Sequence, residues 1–268
     1  MSPRKIWAEK PTHGCLVKQQ TTSKNYCSAG SNLWLQSYNI PSHIEGYFAA
    51  IQEQEINTRQ LQKRRSKDSS LIDSRCRHCK LRDEDICHII GSCSKLCNSM
   101  YLPFRHDQVA RLIHFEILQT QDTSIKFMQP EAVSKVGSLE IWWDQKIACT
   151  PKIAHNRPDL VVWNRSCKTC TIVEIAVPLD ANVDETENNK RSKYMPLMIN
   201  LKRAYPDYLF ECVPVVLGAT GLVTRSLKDN LRSIGLSAAV VDRLILKIVE
   251  KTICGTVKIA KSALSIRK

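Results

Sequence analysis

The chain has 268 residues and 43% hydrophobic content, which predicts a packed core in one large domain or two modest ones. Its net charge of +13 and pI near 9.2 point to a polyanionic partner, most simply DNA, with RNA as the alternative. No apolar run approaches the ~18 residues that cross a bilayer, so no membrane partner is expected.

The N-terminus, MSPRKIWAEK, lacks the apolar centre of a signal peptide. Twelve cysteines without such a signal read as reduced thiols or metal ligands, not as a disulfide framework. An intracellular protein acting in the nucleus is expected. Residues 1–39 are polar with scattered apolar positions and read as loop or as a remnant of something larger. From Ser42, after Pro41, helical spacing sets Ile44, Phe48, Ile51 and Ile56 along one side of a helix ending in KRRSKDSS. That basic end is either a solvated linker or a phosphate contact.

Next, in CRHCKLRDEDICHIIGSC, Cys76 and Cys79 form a C-x-x-C turn, followed by His88 after eight intervening residues and Cys93 after four more. A C-x-x-C turn puts two thiolates on one side of a tetrahedron, and His88 and Cys93 on a short helix complete it. Four ligands in this order in a polar segment favour a structural Zn²⁺ over buried free cysteines. Cys87 and Cys97 remain adjacent alternatives.

YLPFRHDQVARLIHFEILQ then reads as an amphipathic helix burying Val109, Leu112, Ile113 and Leu118, with Asp107 favourable near its positive end. Arg105-His106-Asp107 either cap this helix or touch the knuckle or DNA. Glu116 is expected to be an exposed helix glutamate, and Asp144 an exposed turn aspartate, although each is a candidate extra acid. Residues 122–137 read as loop with short structure, and GSLEIWWDQKI as the first strand of a sheet.

Leu160–Trp163 and Thr171–Val177 are short β-branched runs that read as a hairpin. Its turn carries Cys167 and Cys170, a C-x-x-C with no further ligand nearby, and reads as incidental. Asp159 stands at the mouth of the first strand, and Glu174 in the middle of the second. A charged group inside TIVEIAV needs a partner. Asp159 could share a divalent cation with it, and without metal at least one of the two acids is expected to have a raised pKa. Two carboxylates for a hard cation, plus Lys190 and Lys193 one turn apart on a following helix, form a constellation suited to phosphodiester cleavage. That helix spans Lys190–Tyr205, with Pro196 as its start or a kink. FECVPVVL reads as a buried strand and Gly218-Ala219-Thr220-Gly221 as a strand-to-helix turn lacking the lysine of a P-loop. A helix over LVTRSLKDNLRSIG and a last one from Ala238 to about Ala263 complete the chain before a basic tail.

Arg157-Pro158-Asp159, then fourteen residues, then Glu174-Ile175-Ala176-Val177-Pro178, then Lys190-x-x-Lys193-Tyr194 resembles the restriction-like endonuclease of site-specific non-LTR retrotransposons. That endonuclease belongs to the PD-(D/E)xK nuclease superfamily. The CCHC cluster resembles the zinc knuckle preceding it, Arg105-His106-Asp107 resembles its RHN signature, and PVVLGATG has a similar counterpart. Thr12-His13-Gly14, Trp34-Leu35, Ala49-Ala50, Gln52, Gln54 and Thr58-Arg59 resemble the region between polymerase thumb and knuckle. The likeness thus runs through nearly the whole chain. It departs at Ala176, where the superfamily usually has lysine. The resemblance implies that the following helix supplies this lysine, Lys193 first and Lys190 second.

The resemblance implies an α/β (α+β) fold with the αβββαβ core of the superfamily, in three parts: a helical region over 1–70, a CCHC knuckle over 71–104 and an endonuclease over 105–268. It implies a catalytic site of Asp159, Glu174 and a lysine, with Mg²⁺ on the two acids, that nicks DNA and frees a 3′-hydroxyl to prime reverse transcription. No Tyr/Phe-x-Asp-Asp polymerase signature occurs in the 268 residues. The chain therefore reads as a C-terminal portion or repurposed copy that nicks without copying. The alternatives are a catalytically inactive nucleic-acid-binding remnant and an interaction domain with an unused nuclease-like fold.

Overall fold

The computed structural model describes Gly14, Leu16, Lys18 and residues 25–265. Thr12 and His13 of the proposed N-terminal likeness, and the last three residues of the basic tail, lie outside the described residues. What is described is a mixed α/β architecture: one open five-stranded sheet in the order β1-β2-β3-β4-β5, with helices on both faces.

The N-terminal part forms α1 (Ser28–Asn32), α2 (Ser42–Gln52) and α3 (Arg59–Arg65). The single helix expected over 42–65 is thus two. Gln54 takes a left-handed φ of 57°, and Thr58 caps α3 by accepting from the Leu61 amide at 3.3 Å. A side-chain cap of this kind starts a new helix in place of continuing an old one. Phe48, Ile51 and Ile56 are buried as the spacing predicts, and with Trp34 they share a core with Ile113 and Val249.

The knuckle follows, and a wide π-type turn over Cys97–His106 feeds α4 (Asp107–Gln119). Val109, Leu112, Ile113 and Leu118 are all buried, as the amphipathic pattern predicts. Glu116 is a correction: its side chain is 1% exposed and lies 3.0 Å from Arg243 and 2.9 Å from Lys247. Both cations come from the last helix, so the burial has no local signal.

The sheet comprises β1 (Val133–Val136), β2 (Leu139–Trp143), β3 (Leu160–Asn164), β4 (Thr169–Ala176) and β5 (Leu209–Val216). GSLEIWWDQKI therefore supplies the second strand and not the first, because β1 forms a hairpin with it out of the stretch expected to be mostly loop. β1 through β4 pair antiparallel in succession, and β4 pairs parallel with β5. Alternation splits the side chains between faces. Leu160, Val162, Val173 and Ile175 enter the large core with α4 and the last helix. Val161, Trp163, Cys170 and Ile172 enter a second core with Tyr194, Leu197 and Leu201.

Between β4 and β5 the expected single helix is again two, α5 (Val183–Lys193) and α6 (Met195–Ala204), with Pro196 in the first turn of the second. Proline lacks the amide that a continuous helix would need there, so the chain breaks and restarts. After β5, the Gly218–Gly221 turn is pinned by Asp180, whose Oδ1 accepts from the Thr220 amide at 3.0 Å. α7 (Arg225–Ser233), capped by Thr224, and the long α8 (Ala238–Ser265) close the fold. Among the described residues no helix is long and apolar enough to cross a membrane.

Candidate active site and metal centre

The β2–β3–β4 register extends one rung beyond the strands: Trp143 opposes Leu160, and Leu160 opposes Val173. Asp144, Asp159 and Glu174 thus stand side by side on the next rung. The Asp144 amide donates to the Asp159 carbonyl at 2.9 Å, and the Asp159 amide donates to Glu174 Oε1 at 3.1 Å. Asp159 Oδ2 in turn accepts from the Ile175 amide at 2.7 Å. The two acids picked out in the sequence are therefore brought together, each carboxylate held by the other's strand.

Glu174 is buried, its side chain 1% exposed, with Lys190 Nζ 2.6 Å and Lys193 Nζ 3.7 Å from its Oε2. Both lysines lie in the last turn of α5, so both candidates reach the same oxygen and Lys190 makes the closer contact. Lys193 also sits over the Tyr194 ring at 4.6 Å, and the Tyr194 hydroxyl donates to the Arg157 carbonyl at 3.1 Å. Burial, with the Glu174 charge beside it, pushes the Tyr194 pKa up, which keeps it a neutral donor.

A residue whose partner the sequence did not reveal completes the site. His106 Nε2 is 3.2 Å from Asp159 Oδ2, and its Nδ1 is 3.0 Å from Asp107 Oδ1. Burial opposes the imidazolium, but hydrogen bonds to Asp107 and Asp159 outweigh it and raise His106 to about 9. The Asp159 pKa is lowered: burial opposes this, and His106 and Lys190 win. Asp159 therefore lacks the raised pKa that mutual repulsion would give it, because His106 and Lys190 stabilise its charge. Arg105 serves differently. It is buried, stacks on Tyr101 and donates to Thr256 Oγ1 at 3.2 Å, anchoring the turn that presents His106.

His106, Asp107, Arg111, Trp143, Asp144 and Asp159 line one cleft of about 190 Å³. Asp144 is half exposed and paired with Arg157 at 2.7 Å, in keeping with the turn aspartate expected.

At the other centre, Cys76, Cys79, His88 and Cys93 converge, with one ligand atom from each lying within 4.8 Å of the others. Cys76 and Cys93 sulfurs are 3.9 Å apart, and Cys79 Sγ is 3.3 Å from His88 Nε2. A tetrahedron with Zn–S of about 2.3 Å requires sulfurs roughly 3.8 Å apart, so the spacing fits. Lys80, at φ 61°, closes the C-x-x-C turn, and Asp85 accepts from the His88 amide at 2.7 Å. Burial lowers the His88 pKa, which favours the neutral imidazole that a metal binds. Burial pushes the Cys93 thiol up to about 12. For Cys79, the Leu81 and Arg82 amides outweigh burial and lower the pKa. The four residues form a cluster able to bind a metal ion such as zinc, and Cys87 and Cys97 are not part of it. The C-x-x-C of the hairpin turn joins no such cluster among the described residues: Cys167 is exposed and Cys170 lies in β4.

The knuckle is fastened to α8. Arg77 Nη1 donates to the Leu264 carbonyl at 2.6 Å, and His78 Nε2 lies 2.9 Å from the Ala263 carbonyl. Both residues sit between the two cysteines of the turn and satisfy carbonyls that a helix C-terminus leaves open. The chain matches no protein-family model, and no curated protein matches it significantly.

Proposed function

We propose that the chain is a metal-dependent DNA endonuclease of the PD-(D/E)xK type, akin to the restriction-like endonuclease of site-specific non-LTR retrotransposons, acting on nuclear DNA. The observation that carries this reading is the shared rung of Asp159 and Glu174 with Lys190 at 2.6 Å from the latter. The element order supports it: a helix, antiparallel strands, a helical crossover, and a strand parallel to the last. The excess of positive charge supports a nucleic-acid substrate.

In this mechanism Asp159 and Glu174 would hold one or two Mg²⁺, whose hard character suits carboxylate oxygens. The ion would supply charge neutralisation at the scissile phosphate and a more acidic water. The chain's own groups do the rest. Lys190 and Lys193 balance the buried Glu174 charge and present ammonium groups beside the site, where one of them orients the attacking water. His106 holds Asp159 from the cleft side, and the Ile175 amide holds it from the sheet. A nick at that phosphate would free the 3′-hydroxyl used in target-primed reverse transcription.

A second reading, a catalytically inactive nucleic-acid-binding module, is favoured by one observation. Both Glu174 oxygens are already engaged, Oε1 by the Asp159 amide and Oε2 by Lys190, so the lysine stands where a cation would compete. Conversion of supercoiled plasmid to open circle, with Mg²⁺ and with EDTA, separates the readings. Mg²⁺-dependent nicking supports the enzyme, and binding without nicking supports the module.

A further inference from the structure

α4 carries Arg111 one turn beyond Asp107, and both line the cleft that holds Asp159. The acids there are committed to other groups: Asp107 to His106 at 3.0 Å, Asp144 to Arg157 at 2.7 Å, and Asp159 to His106 and the Ile175 amide. Arg111 is not. Its Nε is buried with no acceptor among the described residues. A buried guanidinium donor is normally satisfied. Arg111 makes no hydrogen bond or ion pair among the described residues, although three carboxylates line the same cleft.

We infer that Arg111 binds a phosphate of the nucleic-acid backbone in this cleft, adjacent to the phosphodiester that Asp159 faces. The guanidinium fork matches two phosphate oxygens at once, and it offsets the repulsion between the strand and the neighbouring acids. The cleft, about 190 Å³, is smaller than the roughly 300 Å³ where small-molecule pockets begin, and suits a phosphate group. This assignment rests on the endonuclease reading for its substrate, but it makes a separate demand on DNA binding.

The test uses the full chain as wild type, Arg111→Lys, Arg111→Ala and Arg111→Met, the last keeping the aliphatic stem should alanine unfold the protein. Circular dichroism checks folding. The kcat/KM for nicking a labelled duplex with Mg²⁺ should fall roughly 10- to 100-fold in the alanine and methionine variants, as expected for one charged hydrogen-bonded contact. Lysine should restore only part, because an ammonium cannot form the fork. A single methylphosphonate next to the nick should slow the wild type but not Arg111→Met. Wild-type nicking with unchanged Arg111→Met nicking overturns the inference while leaving the endonuclease reading intact. Should the wild type not nick at all, the reading fails and binding decides the inference. An Arg111→Met salt slope shallower by about one contact supports it, and an unchanged slope overturns it. Competition by inorganic phosphate at constant ionic strength, with DNA affinity indifferent to Arg111, would assign a free-anion site and also overturn it.

Discussion

The Lys190 ammonium lies 2.6 Å from Oε2 of Glu174, a carboxylate whose side chain is 1% exposed. A buried charge of this kind is tolerable only with its counter-charge in place. Lys190→Met should therefore destabilise the fold by about 1–3 kcal/mol in urea unfolding. Adding Glu174→Gln should recover much of that loss, since the uncompensated charge is gone. Strictly additive single-variant effects would show that the pair is not coupled.

The Cys76–Cys93 sulfur spacing of 3.9 Å predicts one zinc per chain. Protein purified without chelator should carry it, and Cys76→Ser should lose it. Because Arg77 and His78 hold the Leu264 and Ala263 carbonyls, stripping the metal should also speed amide hydrogen exchange at the C-terminal end of α8. Less than about half an equivalent in the wild type would refute the assignment, since structural zinc binding is far tighter than purification requires.

Gly255 on α8 lets the chain before α4 come unusually close: a Cβ there would collide with the Phe104 carbonyl and the Arg105 side chain. Gly255→Ala should cost about 1–3 kcal/mol, although alanine is the better helix former. A stabilised variant in thermal unfolding would contradict this packing. Since the displaced segment leads into His106, the same change should lower any nicking activity.

His114 is buried on α4 against Trp143, 3.2 Å from Ser134 Oγ, and burial lowers its pKa from 6.5 to about 4. The unfolded chain therefore takes up a proton at higher pH than the folded one. The stability owed to this residue is complete above pH 6.5 and is lost progressively as pH falls towards 4. Between about pH 7.5 and about pH 5 the loss should be on the order of 2 kcal/mol. Wild type and His114→Gln compared by urea unfolding over that window should diverge by about this amount, and parallel curves would refute the shift.

Local patterns carried much of this fold. The β-branched runs around Val161, Ile172 and Val215 gave three strands nearly to their ends, and the ligand spacing gave the Cys3His cluster without ambiguity once the chain was folded. What sequence could not show depends on distant partners. Glu116 looks like a solvent-facing glutamate until Arg243 and Lys247 are brought to it across the core. His106 stood in a noticeable Arg-His-Asp triplet, but its contact with Asp159 joins segments far apart in the chain. The breaks at Gln54 and Tyr194 had local signals in Thr58 and Pro196, which helical periodicity outweighed. β1 is four residues long with two exposed positions, too little for alternation to register.

In the proposed enzyme Asp159 and Glu174 serve one reaction. The most direct measurement is the rate at which Glu174→Ala nicks supercoiled plasmid with Mg²⁺, set against its affinity for the same DNA. Removing a carboxylate beside the phosphate should abolish nicking and leave binding equal or slightly tighter, with the wild type nicking only when Mg²⁺ is present. Nicking by Glu174→Ala at the wild-type rate, or a wild type that binds DNA without ever cutting it, would contradict the assignment.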